Sequence, residues 1–213
     1  SYNVEEKPNS QLELSGGWGA RTFVGTLGIN FSNFSTRNFF RKECWRPVPL
    51  GDNQNLAIRF QTNGTYYQAL SAQFTEPWLT GKKPTSLNIS AYFTRQTNSY
   101  ISNYYAIYND DRFIEIGGVS VGIGKRLKWP DNYFTLYNSL GAQFYNLQNW
   151  YSYYVFTDGR YNNLNYTVSL ARTSIDQQIY PRKGSDINLS LQITPPYSLL
   201  RKNAKSIDDS TMD

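Results

Sequence analysis

The sequence predicts an all-β protein: an antiparallel transmembrane β-barrel, present here as an incomplete portion of about nine strands. Three observations lead there. Apolar and polar residues alternate with a period of two along most of the chain, and helical periodicity is scarce. The polar half of that alternation is Asn, Gln, Ser, Thr and Gly on every segment, with few charges. Aromatics gather at segment ends: the 213 residues include 18 Tyr, 12 Phe and 5 Trp, while only 17% are charged. A soluble sandwich also has one polar face, but solvated faces ordinarily carry more Lys and Glu. An apolar face against lipid, a wet lumen and two interfacial aromatic belts account for all three features.

The segments follow in order. Leu12, Leu14, Gly16 and Trp18 alternate with Glu13, Ser15, Gly17 and Gly19. Phe23, Leu27, Ile29 and Phe31 alternate with Thr22, Thr26, Gly28 and Asn30. Leu56, Ile58 and Phe60 oppose Arg59, Gln61 and Asn63, and Leu70, Ala72 and Phe74 oppose Ser71, Gln73 and Thr75. Leu87, Ile89, Ala91 and Phe93 oppose Ser86, Asn88 and Ser90. Val119, Val121 and Ile123 share a face against Gly118, Ser120 and Gly122. Phe134, Leu136, Leu140 and Phe144 oppose Thr135, Ser139 and Gln143. Tyr166, Val168 and Leu170 oppose Asn165, Thr167 and Ser169; last, Ile187, Leu189, Leu191 and Ile193 oppose Asp186, Asn188, Ser190 and Gln192. The aromatic end clusters are Phe39-Phe40, Tyr66-Tyr67, Tyr104-Tyr105 and Trp150-Tyr151. Leu12, Leu27, Phe60, Phe74, Phe93, Val121, Leu136, Val168 and Leu191 are expected to face outward and to be exposed.

Composition removes whole classes of chemistry. Histidine is absent and Cys44 is the single cysteine, so Ser-His-Asp and Cys-His catalysis and His-ligated or multi-Cys metal sites are excluded. No catalytic residue, metal or cofactor is expected, and the protein reads as a non-enzyme. The net charge of +5 is spread over short groups such as Lys82-Lys83, Lys125-Arg126 and Arg182-Lys183, which read as solvated loop charge and not as a nucleic-acid surface. No stretch approaches the ~18 apolar residues of a membrane helix. Without a signal peptide or initiating Met, the chain reads as mature or cut from something longer.

Connections alternate in length. Compact ones fall at 80–84, 129–132 and 181–185, and longer polar ones near 96–111 and 148–163. Short periplasmic turns and longer external loops are the barrel pattern, which sends odd-numbered strands outward. The span from Arg41 to Asn55 is a long turn on the short side, and Thr62 to Tyr66 is tight on the long side. An odd strand count does not close an up-and-down barrel, and an open edge in lipid leaves unpaired backbone groups. Further strands are therefore expected to supply closure.

Four pieces, in order, carry a family resemblance. The stretch 4–19, ending Leu14-Ser15-Gly16-Gly17-Trp18-Gly19, resembles the junction from the last POTRA domain into the first barrel strand of the BamA-like outer-membrane protein assembly factors. Asn33 to Phe40 sits where that family has its turn after strand two. Phe74-Thr75-Glu76-Pro77-Trp78-Leu79 resembles the element ending strand four, and Asp176 to Ser185 resembles a D-x-x-x-x-P-x-x-G-S strand–turn–strand signature. The family's V-R-G-F loop motif, its last strands and complete POTRA domains do not occur in this chain. The resemblance implies the N-terminal part of a sixteen-stranded barrel in a Gram-negative outer membrane. Residues 1–10 would end the POTRA domain, 11–195 would form strands one to nine, and 196–213 would begin an extracellular loop. The implied partners are nascent outer-membrane β-barrel proteins, accessory subunits of an assembly complex, outer-membrane lipid and the remaining barrel strands. Secretion transporters and passive channels share the architecture, and a soluble polysaccharide-binding β-protein would also explain the aromatics.

Within this frame the first strand is the candidate site. Gly16, Gly17 and Gly19 lose side-chain packing in a strand that β-branched residues would strengthen. A weakly paired strand suits a lateral gate that opens and templates a client by β-augmentation, with Gln11, Leu12, Glu13, Leu14, Ser15, Gly16, Gly17, Trp18 and Gly19 as the binding residues. Close packing around a bulge or lumen plug is the competing account. The run Gly117 to Arg126 invites a phosphate-loop reading. Val119 stands where a Walker loop needs Gly and Arg126 where it needs Ser or Thr, so strand glycines facing a crowded lumen explain it better.

Overall fold

The computed structural model describes residues 10–19, 22–45, 48–64, 66–81, 84–97, 100–101, 106–107, 112–149 and 159–195. Nine strands form one antiparallel sheet: β1 (Ser10–Gly19), β2 (Thr22–Phe34), β3 (Gln54–Asn63), β4 (Tyr67–Glu76), β5 (Thr85–Thr97), β8 (Phe113–Arg126), β9 (Phe134–Gln148), β10 (Gly159–Thr173) and β11 (Asp186–Ile193). Between β5 and β8, β6 (Tyr100–Ile101) and β7 (Ala106–Ile107) pair with each other as a two-residue ribbon. Every large strand pairs with its sequence neighbour, and the sheet is open, with β1 and β11 at its edges. The one helical element described is a 3-10 turn at Lys42–Cys44.

Register puts most of the apolar residues of the nine strands on one face, with Val24, Ile114 and Ile116 among those on the other. Leu14 opposes Leu27, Leu27 opposes Phe60, Phe60 opposes Leu70, and Leu70 opposes Phe93. The row continues through Val121 against Leu140 and Val168 against Leu191. No described residue covers this face. Leu12, Leu27, Phe60, Phe93, Val121 and Leu191 are exposed, and Phe74, Leu136 and Val168 are half-buried. Leu14 is 78% exposed, and among the described residues Phe34, at 6%, is the one large apolar side chain that is buried. A soluble sandwich would bury this row in a core; here it meets whatever surrounds the sheet.

Charged residues bracket the apolar band. Along β8 it runs between Lys125 and Glu115, ten residues or about 33 Å of strand, which at a tilt of ~40° gives roughly 25 Å of height, the thickness of an outer-membrane apolar belt. At one end Arg95 pairs with Glu115 at 3.8 Å and lies over the Phe113 ring. At the other, Arg172 Nη2 pairs with Asp131 at 2.9 Å and lies over the Tyr133 and Phe134 rings. The one Asn inside the β9 part of the band, Asn138, accepts from the Tyr166 hydroxyl at 2.8 Å.

The opposite face is polar and crowded. A Cβ on Gly118 would collide with the Tyr92 ring, and one on Gly122 with the Tyr137 ring. Large rings laid over neighbouring glycines recover the packing that glycine forfeits. The run from Gly117 to Arg126 is thus the middle and end of β8, a strand and not a loop. Tyr92 accepts a hydrogen bond from Gln143 Nε2, while Gln143 Oε1 accepts from Tyr145 and Asn163.

Two sequence expectations shift. Pairing in β10 already starts at Gly159, opposite Leu147, so the connection expected over 148–163 is shorter. Tyr161, Asn162 and Asn163 are polar on both faces, which erases the period-two signal at this strand end. The connection near 96–111 includes the β6–β7 ribbon. Tyr104-Tyr105, Trp150-Tyr151, the junction residues 1–9 and the tail after Pro195 lie outside the described residues.

Candidate functional site

β1 pairs with β2 over its whole length, Ser10 with Phe31 through Gly19 with Thr22. Its other edge has no partner among the described residues. Residues 11–18 are all exposed. An exposed edge strand presents unpaired backbone donors and acceptors to any chain that can lie beside it.

The glycines of β1 divide into two kinds. Gly16 opposes Gly25, and the Phe23 ring covers both: a Cβ on Gly16 would sit 3.1 Å from Phe23 Cζ, and one on Gly25 would sit 2.7 Å from Cε1. Gly16 is small because an aromatic ring needs the room. Gly17 faces the other side, opposite Val24, and a Cβ there meets nothing within 4 Å. Packing explains Gly16 and leaves Gly17 without a steric reason.

A second contact ties β1 to the sheet. Glu13, Gly28 and Arg59 lie in one row across β1, β2 and β3. Arg59 Nη2 donates to Glu13 Oε1 at 3.0 Å over Gly28, whose Cβ would crowd Glu13 Oε2 at 3.1 Å. Both side chains are about half exposed. The row floors a recess of about 460 Å³ that Gln11, Asn30 and Ala57 also line. Asn30 Oδ1 is buried there with no hydrogen-bond partner among the described residues.

The other sequence motifs build turns. After β2, Ser35 is fully buried and its hydroxyl donates to Asp52 Oδ2 at 2.5 Å, while Asn38 N donates to Ser35 Oγ. Glu76 ends β4 by accepting from Trp78 N at 2.9 Å and from Gln54 Nε2 at 2.6 Å. Gln54 also holds Thr36 through two bonds, so the β2–β3 and β4–β5 connections form one network. Between β10 and β11, Asp176 Oδ1 accepts from the amides of Arg182 and Lys183 at 3.0 and 3.2 Å. These bonds, Lys183 foremost, hold its carboxyl below the usual range. Gly184 adopts φ +101°, and a Cβ there would strike the Ser174 carbonyl. The D-x-x-x-x-P-x-x-G-S signature is therefore a turn clasp.

The comparisons agree with this architecture. The Omp85 superfamily domain matches residues 49–209, three quarters of the chain. The chain belongs to the Omp85 superfamily. Among solved structures, this Omp85 chain is similar to BamA from Haemophilus ducreyi lacking POTRA domains 1-3, with a TM-score of 0.55 at 19% identity. The match covers 90% of this chain and 35% of that one, so the Omp85 sheet spans about a third of its relative's length. No curated protein sequence matches it. The family is shown by the domain match, and the BamA-like barrel fold by the structural one.

Two residues of the Omp85 sheet escape sequence reasoning. Gln54 is 5% exposed and joins two turns, yet it reads as one more polar residue before a strand. Arg172 lies among Tyr133, Phe134, Asp131, Ser174 and Ser185, contacts up to 41 residues away in sequence. A lone Arg ending an apolar strand is the signal that was available.

Proposed function

We propose that this chain is part of an outer-membrane β-barrel assembly and insertion factor that works through its first strand, without catalysing a covalent reaction. Gln11 to Gly19 would act as a lateral gate whose free edge templates the strand of an incoming barrel. The observation that carries this reading is the asymmetry of β1: ten residues paired to β2 and an outer edge left open. Superfamily membership and the BamA-like fold support it. In this reading odd-numbered sheet strands run outward from the periplasm of a Gram-negative cell. Residues 1–10 end a POTRA domain, and 196–213 enter an extracellular loop. Nascent outer-membrane proteins are the clients, and accessory subunits assist.

Backbone access matters more than side-chain identity for such a template. A client strand pairing with about four residues gains several hydrogen bonds, each net ~1 kcal/mol in water, and more where lipid leaves no alternative partner. The deciding experiment is a disulfide between a cysteine at Ser15 and one on the strand that closes the barrel, in the full protein reconstituted in membranes. Locking the seam should abolish assembly of client barrels, and reduction should restore it. Assembly at full rate with the seam locked would replace the gate by a passive channel or secretion transporter.

A further inference from the structure

We propose that Lys125, Lys128 and Trp129 form a headgroup site for an anionic phospholipid of the periplasmic leaflet. The inference rests on the membrane orientation proposed above and on a recess where β8 runs into the β8–β9 turn. This recess, about 530 Å³, is walled by Pro84, Lys125, Arg126, Lys128, Trp129 and Asn132. Lys125 follows Val119, Val121 and Ile123 on the apolar face, being in register between Thr85 and Leu136. Leu127 prolongs the ladder by donating its amide to the Phe134 carbonyl at 2.8 Å. Trp129 then stands 82% exposed. An apolar track, a cation at its end and an exposed indole beyond it form the sequence of surfaces that one phospholipid presents in reverse.

The charges are free to take a ligand. Lys125, Arg126 and Lys128 are exposed and pair with no acid among the described residues. The acid nearest in sequence, Asp131, is held by Arg172 through both Nε and Nη2. Arg172 is thus already neutralised, whereas Lys125, Arg126 and Lys128 have no acidic partner among the described residues. A phosphodiester would sit on the ammonium groups, its polar headgroup substituent toward the indole, and its acyl chains along Ile123 and Val121. Clustered basic residues at a leaflet surface attract anionic lipid in this way.

The test uses the full protein in nanodiscs of phosphatidylcholine and phosphatidylglycerol, four to one, with co-purified lipid counted by mass spectrometry after mild detergent exchange. Wild type should retain phosphatidylglycerol above its bulk share. Lys125→Gln with Lys128→Gln should lower that enrichment at least about fivefold, while Arg182→Gln with Lys183→Gln, an equal charge loss on another turn, should leave it unchanged. Equal loss in both variants, or loss in neither, overturns the site. Brominated phosphatidylglycerol should quench wild type more than Trp129→Phe, and brominated phosphatidylcholine should not separate the two. Identical quenching in the two proteins overturns the site even if the lysine variant fails to fold. Displacement of the lipid by millimolar inorganic phosphate would make this a soluble-anion site and overturn the lipid assignment. Protein that enters nanodiscs without lipid preference sinks the headgroup site alone, whereas protein that enters none sinks the membrane orientation as well.

Discussion

Gly16 and Gly17 are chain neighbours that answer to different constraints, and substitution separates them. Gly17→Val points into open space and adds a β-branched residue of higher strand propensity. It should leave barrel folding intact or slightly strengthened while lowering client assembly, measured in the same reconstituted system as folding. Loss of folding and assembly in parallel would move Gly17 from gate to scaffold. Gly16→Val instead pushes on Phe23, so it should cost about 1–3 kcal/mol of barrel stability, recovered in part by Phe23→Ala. Asp176 gives a pH-dependent case. Its carboxyl is held below the ordinary value by the Lys183 and Arg182 amides, so the clasp it closes is fully present above that ordinary value. It is lost as pH falls through the lower folded one. Exchange of the Arg182 and Lys183 amides should therefore accelerate only below that ordinary value, and Asp176→Asn should abolish that step.

Strands β1 to β3 act together through the row Glu13, Gly28 and Arg59. The ion pair is half exposed and contributes about 0.5 kcal/mol or less, so its value lies in direction: it holds the inner face of β1 to the sheet while the outer edge stays free. Arg59→Gln should barely change barrel stability yet increase exchange of the β1 amides, and Glu13→Arg with Arg59→Glu should reverse the increase. No recovery in the swapped pair would show that the two side chains are independent. Within β1 itself, Leu14→Ile should be mild and Leu14→Pro severe, since proline removes a backbone donor and fixes φ.

The sheet as a whole depends on which of its two faces meets lipid. Leu140 and Ser139 are adjacent at one height of β9, Leu140 exposed in the apolar row and Ser139 opposite Gly122 and Thr167 on the polar face. Leu140→Arg should destabilise the inserted barrel by about 2–4 kcal/mol, whereas Ser139→Arg should be tolerated by a wet lumen. Folding titrations in lipid vesicles measure both, and equal penalties would mean that the sheet does not sit in a bilayer in this sense. The outer edges of β1 and β11, which no other described strand pairs, belong to the same account. In lipid each open edge leaves backbone groups without partners at several kcal/mol apiece, so further strands are needed beside them.

Period-two alternation determined the nine sheet strands and the face most of their residues occupy, because side-chain direction in a strand depends only on parity. Leu12 and Leu191 were thus assignable from the chain alone, and the uncharged polar face pointed to a barrel before any contact was known. Alternation fades where both faces are polar, which is why the start of β10 at Gly159 was illegible. Single-residue size was equally illegible: Gly16 and Gly17 read alike, and only the Phe23 ring, brought over from β2, tells them apart. The motifs around Glu76 and Asp176 were visible as patterns, while their work as turn clasps depended on amides and a glutamine brought close by pairing. Gln54, Arg172 and the recess at Trp129 were decided wholly by tertiary structure. Register sets parity from local sequence, but a contact between residues tens of positions apart exists only once the intervening strands have folded into place.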